Sequence, residues 1–261
     1  MKRSFHTAWI IGASSGIGHA LARIMAGEGI KVTVSARRTA ELSTLQNECG
    51  PVNITVLPLD ISDIKAVRAT AELMNTQNQI PDVVVIAAAV YEPAGIDNLD
   101  PALFAKMMTI NYLGTVNVFS ALVPVMTAHG HGHIAVVSSV AGYRGLPLAA
   151  AYGPTKAALI NLCESLRPQL SQRDIHLQLV NPGFVDTPLT RKNEFAMPFI
   201  LSPEDAAWRL YRGLHSDRFE VTFPKRFTWL MKLMRILPYS LYFALVDAIT
   251  GGRPQRDKKK S

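Results

Sequence analysis

The chain is expected to fold as one α/β domain, a doubly wound parallel sheet flanked by helices, followed by a basic amphipathic helical extension at its C-terminus. Three observations predict this. Short β-branched runs alternate with longer helical patterns as far as about residue 180, a glycine-rich turn follows the first run, and the net charge is gathered after residue 224. With 261 residues, 48% hydrophobic and 18% charged, the chain can bury a large core without dividing.

The runs AWIIG, KVTVSA, NITVLPL, DVVVIAAA, HIAVVSS and IHLQLVN read as strands apolar on both faces, as in a parallel sheet covered by helices. Between them, helical patterns beginning at Gly16, Thr39, Ser62, Asp100 and Ala150 are long enough to be crossover helices. Six such units imply a ligand site at the carboxyl ends of the strands, where strand order reverses. After Pro182 the pattern loosens, a helix is read from about Pro203 to His215, and a basic apolar segment starts at Lys225. The expected units are a main domain over 1–224, a helical extension over 225–250 and a disordered basic tail over 251–261.

Charge and cysteine content narrow the function classes. Residues 225–261 hold nine Lys/Arg against two Asp, an excess equal to the whole net charge of +7, so the first 224 residues balance. The main body therefore has no basic face for nucleic acid. Two widely spaced cysteines, Cys49 and Cys163, imply no disulfide framework and fit a reducing cytosol. No secretion signal is read at the N-terminus, so the expected location is cytoplasmic.

The first strand runs into Gly12-Ala13-Ser14-Ser15-Gly16-Ile17-Gly18, and helix periodicity follows. Glycines there let the backbone approach a pyrophosphate, while the helix N-terminus offers N–H groups and a favourable dipole. This is the signature of a Rossmann-like dinucleotide site. The second strand ends in Ser35-Ala36-Arg37-Arg38. A carboxylate there would bind the 2′-hydroxyl of NAD, whereas arginine accommodates a 2′-phosphate, so NADP(H) is expected, with Arg37 as its main contact and Arg38 beside it.

Tyr152 and Lys156 stand four apart at the start of a helix, on one face. Pro154 between them is tolerated in a first turn. A lysine charge beside a phenol favours phenolate, so the pair predicts a tyrosine pKa lowered from about 10 towards neutrality, suited to acid or base work. Two other features are read as structural. His129, His131 and His133 form a polar surface loop rather than a metal site, and Cys163 packs in the core.

In combination, Gly-x-x-x-Gly-x-Gly at 12–18, Asp60, Asn111, Ser139 in VVSSVAG, Tyr152-x-x-x-Lys156 and Pro182-Gly183 make the chain resemble the short-chain dehydrogenase/reductase family, over roughly residues 6–215. The resemblance implies an NADP(H)-preferring carbonyl reductase in which Tyr152 is the general acid for ketone reduction and Ser139 hydrogen-bonds the carbonyl oxygen as it becomes negative. It further implies that Lys156 lowers the Tyr152 pKa and binds the nicotinamide ribose, and that Asn111 holds a water in a proton relay to Lys156. Asp60 and Ile61 are placed near the adenine, Ala88 along the cofactor, and Pro182, Gly183, Val185 and Thr187 near the carboxamide. The helices of Asn111 and Tyr152 are expected to pack against another subunit in a homodimer or homotetramer. One departure stands out: Ile86-Ala87-Ala88-Ala89 replaces the usual Asn-Asn-Ala-Gly, removing side-chain hydrogen bonds that pin neighbouring strands.

The segment 188–202 occupies the position of a substrate lid in the resemblance and contributes Leu189, Phe195, Met197, Phe199 and Ile200. With Tyr91, Tyr143 and Leu146 these make an apolar site for a hydrophobic, lipid-like ketone or aldehyde. In the tail, Phe227, Leu230, Met234 and Leu237 fall on one helical face and Thr228, Lys232 and Arg235 on another. Its longest uncharged run, Ile236 to Val246, is 11 residues, and a bilayer span needs about 20. Residues 225–260 are accordingly expected to lie on an anionic membrane surface, with packing over the active site or a partner subunit as the rival. Two rival functions stay open: a 3-oxoacyl thioester reductase of lipid synthesis, and a non-catalytic NADP(H)-binding sensor or scaffold.

Overall fold

The computed structural model describes residues 3–193, 195 and 197–249, so the tail expected to be disordered at 251–261 lies outside the described residues. Seven parallel strands form one sheet in the order β3-β2-β1-β4-β5-β6-β7. They are β1 (Thr7–Ile11), β2 (Lys31–Ser35), β3 (Ile54–Val56), β4 (Val83–Ile86), β5 (Gly132–Val137), β6 (Ile175–Pro182) and β7 (Glu220–Phe223). The helices are α1 (Gly16–Gly27), α2 (Thr39–Cys49), α3 (Ile64–Thr76), α4 (Pro101–Met107), α5 (Gly114–His129), α6 (Tyr152–Ser171), α7 (Pro203–Leu214), α8 (Lys225–Ile236) and α9 (Tyr239–Ile249). This is the doubly wound, Rossmann-like architecture that the alternation implies.

Alternate side chains of each strand enter opposite layers, which explains why the strands are apolar on both faces. In β1, Ala8 and Ile10 join Leu21, Leu42 and Leu210 on one side, whereas Trp9 and Ile11 join Val67, Val118 and Leu159 on the other. The Trp9 indole donates to Ser35 Oγ at 2.8 Å, so the one polar atom of this large core residue is satisfied. Strand order reverses between β1 and β4, and the functional residues gather at the carboxyl ends of the strands around this point.

Three features differ from expectation. First, a seventh strand, β7, extends the sheet beyond the six expected runs. Its four residues, Glu220, Val221, Thr222 and Phe223, form a short edge strand that holds a carboxylate, whose charge is satisfied by Tyr143, Asn181 and Lys232. Burial opposes ionisation of Glu220, but those hydrogen bonds outweigh it and hold the carboxyl below its ordinary range. Second, His133 is not in a surface loop; it is a buried member of β5, bonded to Gln178 Oε1 at 3.0 Å and edge-on to His176. Burial, then the neighbouring His176, push its imidazole down to about 3. Third, the faces of α8 are rotated from those expected: Thr228 is buried beside Phe227, Met231 and Met234, while Leu230 is exposed. Cys163 is buried in the core, where burial raises its thiol to about 12.

The helices α8 and α9 rest on the α3/α5/α6 side of the sheet, where Phe227, Met231, Met234 and Tyr242 join the main core. The stretch Pro101–His129 is long and apolar enough to cross a membrane by length and composition, yet Val118, Phe119, Leu122 and Met126 bury its inner face against the sheet.

Candidate active site

Strand β5 ends at Val137 and the chain turns at Ser138 and Ser139. Ser139 caps a short helical turn, Val140–Gly142, its Oγ accepting from Ala141 N at 3.1 Å. Ser138 Oγ donates to Lys156 O at 2.9 Å, which ties this turn to the start of α6. Tyr152 and Lys156 share a face of α6, as a four-residue spacing requires, and Lys156 Nζ lies 5.4 Å from the Tyr152 ring centroid. The ammonium donates to Val137 O at 2.9 Å, and Lys156 is only 2% exposed.

The electrostatics here run against the expected pKa. Burial pushes Lys156 down to about 7, so near neutral pH it carries only part of a charge. Burial also pushes the Tyr152 phenol well above its ordinary value; Tyr91, edge-on at 5.0 Å, acts in the same direction, and a hydrogen bond with Ser139 opposes both. The expected lowering of the Tyr152 pKa by Lys156 is therefore corrected: burial, then Tyr91, raise it, and the opposing contribution comes from Ser139 rather than from the lysine, whose own charged form burial disfavours.

Asn111 lies in a π-helical turn, Met108–Leu113, between α4 and α5, and such turns frequently occur at functional sites. It is fully buried. Its side chain brackets Val90, accepting from the Val90 amide at 2.8 Å and donating to the Val90 carbonyl at 2.9 Å, and it also donates to Thr155 Oγ1 at 3.2 Å. Thr155 in turn donates to Tyr152 O at 2.8 Å. Asn111 thus joins the segment that follows β4 to the first turn of α6. It stands behind the cavity rather than on its wall, and the hydrogen bonds of its side chain run to Val90 and Thr155 rather than to Lys156.

The glycine turn between β1 and α1 builds an anion cradle. Gly12 has φ +96°, and a Cβ there would meet Ala88 N at 2.4 Å, so the loop and the Ala87–Ala88 backbone approach as only glycine permits. The end of β4 is pinned by backbone, Ala87 N donating to Ile11 O at 2.8 Å, in place of the asparagine side-chain bonds missing from this stretch. Ala89 is not among the residues with positive φ, so its backbone conformation does not require glycine. Helix α1 opens at Gly16 with no side-chain cap on Ser15 and no acidic residue in its first turn, which leaves the N-terminal dipole available to an anion.

Around this cradle, Arg38 Nη2 donates to Ser14 Oγ at 2.9 Å and to Ser15 Oγ at 3.1 Å. Arg37 turns the other way, its Nη1 lying 3.9 Å from Asp60 Oδ2. Burial opposes ionisation of Asp60, but hydrogen bonds from Ser62 and the Arg37 guanidinium outweigh it and keep the carboxyl below its usual range. Two guanidiniums, an uncapped helix start and close backbone approach together fit a nicotinamide dinucleotide. The side chains present match that group, with Arg38 nearer the glycine loop than the expected Arg37.

These parts face one cavity of about 1140 Å³. From the sequence-predicted set, Gly12, Ser14, Ser15, Ile17, Gly18, Arg37, Arg38, Asp60, Ile61 and Ala88 line one end. Ser139, Tyr152, Lys156, Pro182, Gly183, Val185 and Thr187 line its middle, while Gly16 lies against the Thr187 side chain. Of the expected substrate contacts, Tyr91, Leu146, Leu189 and Phe195 reach the cavity. Tyr143 does not line it, because its hydroxyl is held by Glu220, and Met197, Phe199 and Ile200 also lie off its wall. Sequence reasoning missed Phe184, Phe227, Met231 and Met234, which complete the apolar wall. Phe227 packs on Gly183 so closely that a Cβ there would meet its ring at 2.6 Å, and only the tertiary docking of α8 brings the two together. Among the described residues, no three His, Cys, Asp or Glu side chains gather as a metal site would need.

Comparison with known proteins agrees with this geometry. The family model for short chain dehydrogenase matches residues 6–197. An oxidoreductase of Myxococcus xanthus is 33% identical over 246 residues, covering 93% of this chain and 97% of that protein. A Drosophila melanogaster dehydrogenase/reductase SDR family protein 7-like is 32% identical over 188 residues, or 69% of this chain and 57% of its own length. Among solved structures, a short chain dehydrogenase from Burkholderia cenocepacia in complex with NADP shares the fold with a TM-score of 0.81 at 23% identity, covering 94% of this chain and 99% of that one. With the glycine turn, the serine and the tyrosine–lysine pair assembled at one cavity, the chain belongs to the short-chain dehydrogenase/reductase family of nicotinamide-dependent oxidoreductases, which act on CH–OH and C=O groups.

Proposed function

We propose that the protein is a cytoplasmic NADPH-dependent reductase of hydrophobic ketones or aldehydes. The observation that carries this reading is the shape of the cavity: Ser139, Tyr152 and Lys156 lie on a wall that continues into Phe184, Phe195, Phe227, Met231 and Met234. A carbonyl group could meet the polar trio while its apolar substituents displace water from the aromatic and methionine side.

In this reading Arg38 with Ser14 and Ser15, and Arg37 with Asp60, hold the adenosine end of NADPH, while the start of α1 receives the diphosphate. Hydride is the chemistry the nicotinamide brings when bound. The chain's own groups do the rest. Tyr152 carries its proton firmly, as burial ensures, and donates it to the carbonyl oxygen as negative charge develops there. Ser139 Oγ donates a hydrogen bond to the same oxygen. Lys156 gains full charge beside an anionic ligand and then favours the phenolate left behind. Asn111 positions the first turn of α6 through Thr155. Assembly into a dimer or tetramer through α5 and α6 belongs to the same reading.

The test is NADPH oxidation against ketones, long-chain aldehydes and 3-oxoacyl thioesters, with Tyr152→Phe beside the wild type. Wild-type turnover of a hydrophobic carbonyl is expected, falling about 10²- to 10⁴-fold in the variant with NADPH affinity kept. NADPH binding without turnover across the panel, or equal turnover by both proteins, would refute the assignment.

A further inference from the structure

A helix packed on a soluble domain normally has one apolar face, turned inward. Helices α8 and α9 have two. The inner face holds Phe227, Met231, Met234 and Tyr242, buried in the core. The outer face of α8 displays Trp229, Leu230, Leu233 and Ile236; α9, exposed around most of its circumference, displays Tyr239 and Phe243 on one side of the buried Tyr242 and Leu241 and Leu245 on the other, with exposures over the two helices from 37% to 75%. Tyr239 and Phe243 stack with centroids 5.9 Å apart, so part of this surface is an ordered aromatic step. Eight large apolar side chains gathered on two successive helices are far more than the scattered exposed residues of an ordinary surface.

The charges around this face select its occupant. Lys225, Arg226 and Arg235 are exposed beside it, and the sequence from Lys225 to Val246 contains no carboxylate. The whole net charge of +7 lies in residues 225–261. A second copy of this chain, docking the same patch about a two-fold axis, would bring these cations face to face. An anionic lipid surface instead neutralises them while its acyl boundary takes the apolar side chains. Trp229 and Tyr239, exposed at 68% and 72%, are residue types suited to the headgroup level. At 12 and 11 residues, neither helix reaches the roughly 20 that a span requires, so both would lie in the plane of the interface.

The same helices wall the cavity. Phe227, Leu230, Met231, Met234 and Val246 line it, and Leu230 also keeps 46% of its surface exposed. We propose that α8 and α9 dock the protein on an anionic bilayer and that its carbonyl substrate enters the cavity from the membrane side. The entry route rests on the proposed reductase activity; the docking does not.

The test is co-sedimentation of the full-length protein with phosphatidylcholine vesicles and with phosphatidylcholine/phosphatidylglycerol vesicles. It is run beside a triple variant, Trp229→Ser/Leu233→Ser/Ile236→Ser, none of whose positions lines the cavity. Anionic vesicles should bind the wild type at least about tenfold more tightly than neutral ones, and the triple variant should lose about tenfold or more. A soluble short ketone should be turned over equally by both proteins, while a ketone dissolved in anionic vesicles should be reduced by the wild type alone. Equal binding to both vesicle types, or no binding, would overturn the docking. Loss of a wild-type dimer in the triple variant by light scattering, without vesicle binding, would assign the patch to a second copy. Vesicle binding without turnover of either ketone would end the entry route along with the reductase reading and leave the docking in place.

Discussion

At the scale of single residues, burial governs the chemistry of the site more than pairing does. Tyr152 and Lys156 are near neighbours, yet each is desolvated strongly enough that the phenol is held protonated and the amine is brought to about 7. A proton donor poised against a partly charged lysine suits carbonyl reduction near neutral pH. The two arginines after β2 differ in the same instructive way: Arg38 bonds both serines of the glycine turn, and Arg37 pairs loosely with Asp60. Each charge-assisted contact to a phosphate contributes about 1.5–3 kcal/mol. Arg38→Ala is therefore expected to raise the NADPH KM about ten- to hundredfold, with a smaller effect for Arg37→Ala and for NADH with either variant. Steady-state kinetics with both cofactors checks this; an equal loss for NADH would assign Arg38 to shaping the loop rather than to the extra phosphate.

At the scale of elements, β5 and β6 carry an acid-sensitive pair near their starts, away from the cavity. His133 is buried with its imidazole near 3, and the pKa of the neighbouring His176 is also lowered by burial. A histidine whose folded pKa lies below its unfolded value of about 6.5 binds its proton more readily in the unfolded chain. Stability is thus unaffected by this group above about pH 7 and falls as pH drops from there towards 3. At two pH units below the unfolded pKa, the cost from His133 is about 3 kcal/mol. His133→Leu should unfold more easily at pH 7.5, because Gln178 loses its partner, yet lose less stability between pH 7 and 4.5 than the wild type. Urea titrations across this range read the slope directly, and parallel slopes would remove His133 as the cause.

At the scale of the whole molecule, Arg144 ties the last two helices to the loop that carries the active-site serine towards Tyr152. Arg144, on the loop between Ser139 and Tyr152, donates to Met234 O at 2.7 Å and Leu237 O at 2.6 Å, the carbonyls at the end of α8. Its guanidinium also lies over the rings of Tyr239 and Tyr242, at 4.8 and 4.0 Å. The loop between Ser139 and Tyr152 and the cavity wall are therefore latched together. Arg144→Ala should cost about 2 kcal/mol, lowering Tm by several degrees, and should speed amide hydrogen exchange in α8 and α9 more than in the sheet. Uniform exchange changes across the fold would contradict a local latch.

The sheet, the cofactor turn and the serine–tyrosine–lysine set were legible in the sequence because each rests on local order. Strand and helix periods, a glycine trio between β1 and α1, and a four-residue step along one helix face need no knowledge of distant residues. The same reasoning missed β7, because a four-residue edge strand containing Glu220 reads as surface until Tyr143, Asn181 and Lys232 arrive from elsewhere. It misplaced His133 because the glycines that separate it from His131 and His129 suggested a loop, and it rotated the faces of α8 because a helix apolar on two sides has no unique inner face in its own sequence. By itself the sequence determined the layered fold, the polar groups of the site and the sign of its charge. The tertiary structure alone decided which side chains meet across the cavity, which arginine reaches the glycine turn and how far burial shifts the tyrosine and lysine, since packing and desolvation depend on neighbours far away along the chain.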